Sequence, residues 1–318
     1  VNDIRESAID ADIMSLFRIT WPYAKFDQAV MYELLSLVTN FVAEHVNAKR
    51  MLTVTTPSDD GDKPTSFALQ VMDYAFDVKH VPGSATLELC LKALSSLASV
   101  EGPARYWLIR SVFVDETAMT LSHALMKLRA IGSDTNDAKD VSTKSRWMKT
   151  IAASTRALGN VASFTEGQRV VLRTNGAGTH ILELCLETVA AAGGDDDVAT
   201  RREVFLLMHN LAFHADAKAH FAANASVLDC LTYAVADTDI RCAASACATL
   251  FALVHHGQRV VAALREHGRD RALRAASKSR THHHGASESA YFTHWSRALR
   301  GLLVILASSE NAERWDGL

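Results

Sequence analysis

"RALGNVASFTEGQRVVLR" occupies residues 156–173, and pieces of it return on both sides. Its pentapeptide GQRVV, at 167–171, recurs at 257–261. Between the two copies, "LMHNLAFHADAKAHFA" (207–222) has the same apolar skeleton, with Asn210 fifty residues after Asn160. Upstream, "KALSSLASVEGPARYWLIR" (92–110) repeats Ala-Leu, Ala-Ser and Glu-Gly in the same order with one gap. Such recurrence is the mark of stacked supersecondary units, each too small to bury its apolar face alone. The chain reads as a degenerate repeat.

With 318 residues, 48% of them apolar, the chain has room for a long array or for one to three domains. There are 33 Lys and Arg against 36 Asp and Glu, and a net charge of −3 gives no general pull towards nucleic acid or membrane surfaces. No stretch approaches the roughly 18 uninterrupted apolar residues of a membrane span, so a soluble protein without membrane contact is expected. The sequence opens on Val1, with neither an initiator Met nor a charged-then-apolar leader, which points to a piece of a longer polypeptide. Cys90, Cys185, Cys230, Cys242 and Cys247 form no C-x-x-C pair and no zinc-finger spacing. The first three lie in the apolar runs LELCL, LELCL and VLDCL. An odd number of cysteines in such runs predicts reduced, buried thiols in a cytoplasmic protein.

Only five prolines occur and none follows Pro103, while Ala, Leu and Val recur at spacings of three and four. That pattern predicts an all-α chain with no sheet. Pro22 predicts a helix start, followed by one long helix burying Phe26, Val30, Leu34, Leu37 and Phe41. "TVTTPSDDGDKP" (53–64) and "GSDTNDAKDVST" (132–143) read as polar loops. Later blocks each run long helix, short helix, medium helix, at a period of about 40–50 residues. Residues 1–131 are expected to form irregular N-terminal repeats or a cap, 144–308 the repeats with a capping last helix, and 309–318 a tail.

"ALGNVA" (157–162) and "LMHNLA" (207–212) resemble the A-L-x-N-L-A signature of the third helix in the armadillo family. The resemblance implies a right-handed α-solenoid of armadillo/HEAT-like repeats acting as a non-enzymatic, protein-binding scaffold. In that family the asparagine lines a concave groove and hydrogen-bonds the backbone of an extended ligand. Matched position assigns that role to Asn160 and Asn210. The tryptophan often found four residues earlier is Arg156 and Leu206 here, and the third copy has Ala252 at the asparagine position. Phe164 and His214, four residues later, are expected to continue the same faces. With Arg156 and His256 they complete the expected protein-binding set. More narrowly, residues 204–264 resemble the C-terminal region of the rotatin family, armadillo-like proteins of centrioles and basal bodies. That resemblance implies a centriolar or ciliary scaffold, with a centriolar protein as partner.

"LREHGRDRALRAASKSR" (264–280) sets Arg265, Arg269, Arg271, Arg274, Lys278 and Arg280 against Glu266 and Asp270 alone. Such a basic edge suits acidic tails or phosphates, although a solvated helix face has the same composition. It supports an alternative reading, a repeat module that binds an acidic polymer such as nucleic acid or tubulin tails. No aromatics are interleaved for base stacking, which disfavours single-stranded nucleic acid. The His triplet at 282–284 cannot turn three consecutive side chains onto one ion, and it reads as a loop. No metal and no cofactor are expected. The G-x-S-x-G, G-x-x-x-x-G-K-[ST] and H-E-x-x-H patterns are all missing, which argues against an enzyme.

Overall fold

A computed structural model describes residues 13–53, 55–56, 65–77, 84–100, 102–131, 138–176, 178–193, 197–255, 257–266, 268–279 and 289–315. Among these residues the chain forms seventeen helices and four strands of two residues each. Helices α1 (Ile13–Ala24) and α2 (Gln28–Val42) lead. Triplets follow, each with a short first helix and a longer third one. The first two triplets are α3 (His45–Thr53), α4 (Phe67–Ala75), α5 (Ser84–Ser99), and α6 (Pro103–Arg110), α7 (Phe113–Ile131), α8 (Ala138–Val161). Then come α9 (Thr165–Arg173), α10 (Ile181–Ala191), α11 (Val198–Leu211), and α12 (Ala215–Ala223), α13 (Ala225–Ala234), α14 (Ile240–Val254). Last are α15 (Gln258–Glu266), α16 (Arg269–Ser279) and α17 (Ser289–Trp315). The chain divides into two units, Val1–Val161 with Thr174–Ala177, and Ala162–Arg173 with Gly178–Leu318.

In the first unit α2 packs against α5 and α5 against α8, while α4 and α7 support α5 and α8 from behind. Aromatic rings fill its leading end. Phe17 stacks on Phe67 at 5.8 Å, and Trp21 meets Phe67 edge-on at 5.1 Å. Strands β1 (Thr55–Thr56) and β2 (Thr65–Ser66) pair antiparallel, Thr55 opposite Ser66. This ladder flanks the expected polar loop, whose residues 57–64 lie outside the described ones. Ser66 then caps α4, its hydroxyl accepting from the Leu69 N–H at 3.2 Å. Two-residue strands make no layer, so the all-α expectation stands. Strands β3 (Asn175–Gly176), in the first unit, and β4 (Thr179–His180), in the second, are equally short.

One expectation fails here. Pro22 does not start a helix; it sits in the last turn of α1. The chain breaks at residues 25–27, and Asp27 caps α2 by accepting from the N–H groups of Ala29 (2.9 Å) and Val30 (3.2 Å). The buried face of α2 is Met31, Leu34, Leu35, Val38, Phe41 and Val42. Phe26, Val30 and Leu37 are exposed instead. The segment is apolar on two faces, so periodicity at three and four fits either phase.

In the second unit α11 packs against α14 and α14 against α17, α10 against α13 and α13 against α16, and α12 against α15. Trp295 of α17 is fixed by its indole N–H, which donates to the Val235 carbonyl at 3.0 Å. Gly301 permits close approach of α17 to α14, since a Cβ there would lie 2.6 Å from the Phe251 ring. Gly268, at φ +66, turns the chain between α15 and α16 in a conformation that costs other residues energy.

The second helices share a device. Thr117, Thr188 and Thr232 are buried, each hydroxyl donating to the carbonyl four residues earlier, on Phe113 (2.6 Å), Leu184 (2.7 Å) and Leu228 (2.7 Å). An unmet hydroxyl in such a core would cost about 1–3 kcal/mol. All five thiols are free, and Cys90, Cys185, Cys242 and Cys247 are buried as expected. Cys230 is a correction. It is half-buried because α13 turns Val227, Leu228, Leu231 and Thr232 inwards and leaves Cys230 at the flank. Burial raises its thiol to about 11 and those of Cys242 and Cys247 to about 12, Asp237 and Asp239 adding to the effect at Cys242.

Candidate functional site

Packing consumes most of each long helix and leaves one accessible stripe. On α14 the stripe is Arg241, Ser245, Ala248 and Ala252, spaced four, three and four. Helical geometry puts these residues on one face. On α11 it is Ala199, Glu203, Leu206 and Asn210, each 42 positions before its counterpart on α14. The first unit repeats the arrangement. Ala85, Glu88, Lys92 and Ser96 line α5, and Lys149, Ala152, Arg156 and Asn160 stand 64 positions later along α8. Within each unit, then, two neighbouring long helices present the same positions side by side.

Charge contacts hold the second unit's stripe in place. Arg202 donates from Nε to Asp239 Oδ1 at 3.1 Å and from a terminal nitrogen to Asp239 Oδ2. Asp239 also caps α14, accepting from the N–H groups of Arg241 (3.1 Å) and Cys242 (2.9 Å). Burial alone would raise Asp239, but the bonds from Arg202 and Cys242 outweigh it and hold the carboxyl at about 2. The Arg241 guanidinium lies 4.9 Å from the centre of the Tyr291 ring, a cation–π contact tying α14 to α17. In the first unit Lys92 pairs with Glu88 at 2.6 Å along the α5 stripe.

Asn160 and Asn210 occupy equivalent stripe positions, Asn160 in the first unit and Asn210 in the second. Both are half-buried and both engage neighbouring groups. Arg156 is half-buried one turn before Asn160. Phe164 and His214 do not continue these faces, because α8 ends at Val161 and α11 at Leu211. Both instead open the next short helix. The Phe164 carbonyl accepts from the Gln168 N–H at 2.9 Å, and His214 Nδ1 accepts from the Asp216 N–H at 3.3 Å. His256 lies outside the described residues.

The basic edge is thinner than its sequence suggests. Arg269 is buried, donating from Nε to Asp229 Oδ1 (2.6 Å) and from its terminal nitrogens to the carbonyls of Ala263 (2.6 Å) and Ala225 (3.2 Å). Arg265 donates to the Leu306 carbonyl at 2.7 Å. Both guanidinium groups donate to backbone carbonyls, that of Ala263 in the last turn of α15 among them, a use that composition cannot reveal. Arg271, Arg274 and Lys278 are exposed along α16, with Arg274 near Asp270 at 3.7 Å, and Arg280 lies outside the described residues. The His triplet at 282–284 also lies outside them. Among the described residues no group of three or more His, Cys, Asp or Glu is placed to hold a metal ion. No helix among them is long and apolar enough to cross a membrane.

Sequence reading missed Lys92 and Ser96, although aligning KALSSLAS with RALGNVAS puts them at the positions of Arg156 and Asn160. Nothing in the sequence pairs Arg241 with Tyr291.

No family model and no curated protein matches the chain. Solved structures are similar to it. An engineered protein has a TM-score of 0.65 at 14% identity, over 93% of this chain and 97% of that one. The designed armadillo repeat protein YIII(Dq)4CqI has a TM-score of 0.61 at 12% identity, over 88% and 94%. A related design, YIII(Dq.V1)4CPAF in complex with the peptide (KR)4, has a TM-score of 0.59 at 13% identity, over 87% and 94%. At these identities the likeness is one of fold. The chain is an all-α solenoid built from armadillo-like helix repeats.

Proposed function

We propose that the chain is a non-enzymatic scaffold module that binds extended segments of partner proteins along its long-helix stripes. The constant register of those stripes carries this reading: equivalent side chains stand at matched positions on packed helices, 64 apart in one unit and 42 apart in the other. Evenly repeated positions suit a ligand whose own groups repeat, as those of an extended backbone do. An asparagine on the stripe offers both a donor and an acceptor amide group to such a backbone. The similar design holds the cationic peptide (KR)4. Here Lys92, Lys149, Arg156 and Arg241 outnumber Glu88 and Glu203 on the stripes, so neutral or acidic segments fit better.

An array of immobilised acidic, neutral and cationic twelve-residue peptides, probed with the whole chain, tests the reading. Acidic or neutral peptides should be retained, and the double variant Asn160→Ala, Asn210→Ala should weaken them with little change in melting temperature. A large fall in melting temperature with binding retained below it would assign both asparagines to holding the repeats together.

A second reading keeps one observation of its own. Arg271, Arg274 and Lys278 share an exposed face of α16, spaced three and four. Three phosphate contacts there would give a log–log salt slope of about −2 to −3 for nucleic acid. A flat slope would remove that reading. A centriolar setting rests on the sequence resemblance of residues 204–264 alone. Imaging of the tagged chain against a centriole marker tests it, and a diffuse signal would refute it.

A further inference from the structure

The pentapeptide GQRVV is used twice, to different ends. In the first copy Arg169 pairs with Glu166 and Gln168 is buried. In the second copy the residue equivalent to Glu166 is His256, and Gln258 and Arg259 are both exposed. Arg259 forms no ion pair among the described residues.

That exposed second copy borders a pocket of about 500 Å³ between α12 and α15. Phe213, Ala215, Ala219 and Val260 make its apolar walls, and Gly257 gives it a backbone edge. No side chain fits at Gly257, where a Cβ would lie 2.0 Å from the Leu253 carbonyl oxygen. Lys218, Gln258 and Arg259 complete the lining. Lys218 is already oriented, donating from Nζ to the His255 carbonyl at 2.6 Å, which leaves two of its N–H groups. The nearest acid along α12, Asp216, stands 3.9 Å from His214 Nδ1 and is not part of the lining. The site therefore joins an apolar cleft to two cations, with no carboxylate among its described lining residues.

We propose that this pocket anchors an acidic segment of a partner protein, taking one large apolar side chain while Lys218 and Arg259 hold the flanking carboxylates. Pocket volume is in the range that encloses a side chain or small ligand. Arg259 presents a planar fork that meets a carboxylate with two parallel bonds. Lys218 is held before binding, so less side-chain entropy is lost when the partner arrives. A cationic segment finds two like charges at the mouth and is rejected.

The test is a fluorescence-anisotropy titration of the whole chain with three labelled peptides. They are Glu-Asp-Leu-Phe-Asp-Glu, its charge-swapped form Lys-Lys-Leu-Phe-Lys-Lys, and Glu-Asp-Gly-Gly-Asp-Glu, which lacks the apolar pair. The first should bind saturably, and the other two at least about tenfold more weakly. Arg259→Glu removes the fork, and Ala219→Trp fills the cleft from an exposed position. Each should cost at least about tenfold in affinity at an unchanged melting temperature. Asn210→Ala, on the long-helix stripe, should leave this peptide bound. Equal binding of the charge-swapped peptide, no saturable binding of the first, or wild-type affinity in both pocket variants would overturn the proposal. Loss of binding in Asn210→Ala alone would put the peptide on the stripe, sinking the pocket while leaving the scaffold reading intact.

Discussion

Replacing Arg269 by Ala separates a structural arginine from a docking one. Its side chain is 4% exposed and meets Asp229, the Ala263 carbonyl and the Ala225 carbonyl. Hydrogen bonds to a charged group contribute about 1.5–3 kcal/mol each when lost singly. The three do not add, because water reaches Asp229, which is 47% exposed, and recovers part of its share. What remains is the Ala263 carbonyl left unmet in the last turn of α15 and a cavity the size of a guanidinium group. The net loss should be about 3 kcal/mol. For a unit of this size that corresponds to a fall of about 6–12 °C in melting temperature. Thermal melts followed by circular dichroism would measure it, with Arg271→Ala as the exposed control, expected to stay within about 0.5 kcal/mol. Arg269→Lys should recover only part of the loss, since an ammonium cannot reach three acceptors in the plane of the fork. Should Arg269→Ala melt with the wild type while losing affinity for polyglutamate, Arg269 would face solvent and the packing described at α16 would be wrong.

Native-state thiol labelling should reach Cys230 first, because it is half-buried, and leave Cys90 and Cys185 unreacted until the chain unfolds. Mass spectrometry of quenched samples reads the order, and early modification of Cys90 or Cys185 would show that LELCL is not core. Asp239 sets an acid limb. Its ordinary value of 3.8 falls to about 2 in the folded chain, so its contribution is complete above about 3.8 and vanishes as pH drops through about 2. Asp239→Asn should flatten urea stability between about pH 4 and 2, and an unchanged acid slope would mean the bond from Arg202 does not hold the carboxylate.

The repeat was legible in the words themselves. ALGNVA and LMHNLA lie on long helices, and the segment after each forms a short helix as expected. Blocks without proline, with Ala and Leu at helical spacing, can hardly do otherwise. The matched stripe positions of Asn160 and Asn210 follow from the same alignment, and it held Ser96 and Lys92 as well. What failed did so at helix ends. Phe164 and His214 stand four residues beyond each asparagine, but the helix stops first, and a periodicity argument has no meaning past the last turn. Phe26 failed for a related reason: Asp27 starts a new helix, and a capping carboxylate weighs more than the spacing of five apolar letters.

Sequence alone determined the all-α class and the helix triplets, because helix propensity and apolar spacing act over a few neighbouring residues. The expected period of about 40–50 residues holds at 42 in the second unit but stretches to 64 in the first. Tertiary structure decided which charges are exposed. Arg265 and Arg269 look like members of one basic run with Arg271, Arg274 and Lys278. Only packing shows that two of them are spent on carbonyls and on Asp229, 40 residues away in the chain. The two copies of GQRVV make the same point. Identical letters give a buried glutamine and a paired arginine at 167–171 but an exposed, cationic pocket rim at 257–261, since burial and charge pairing belong to the neighbours each copy meets in space.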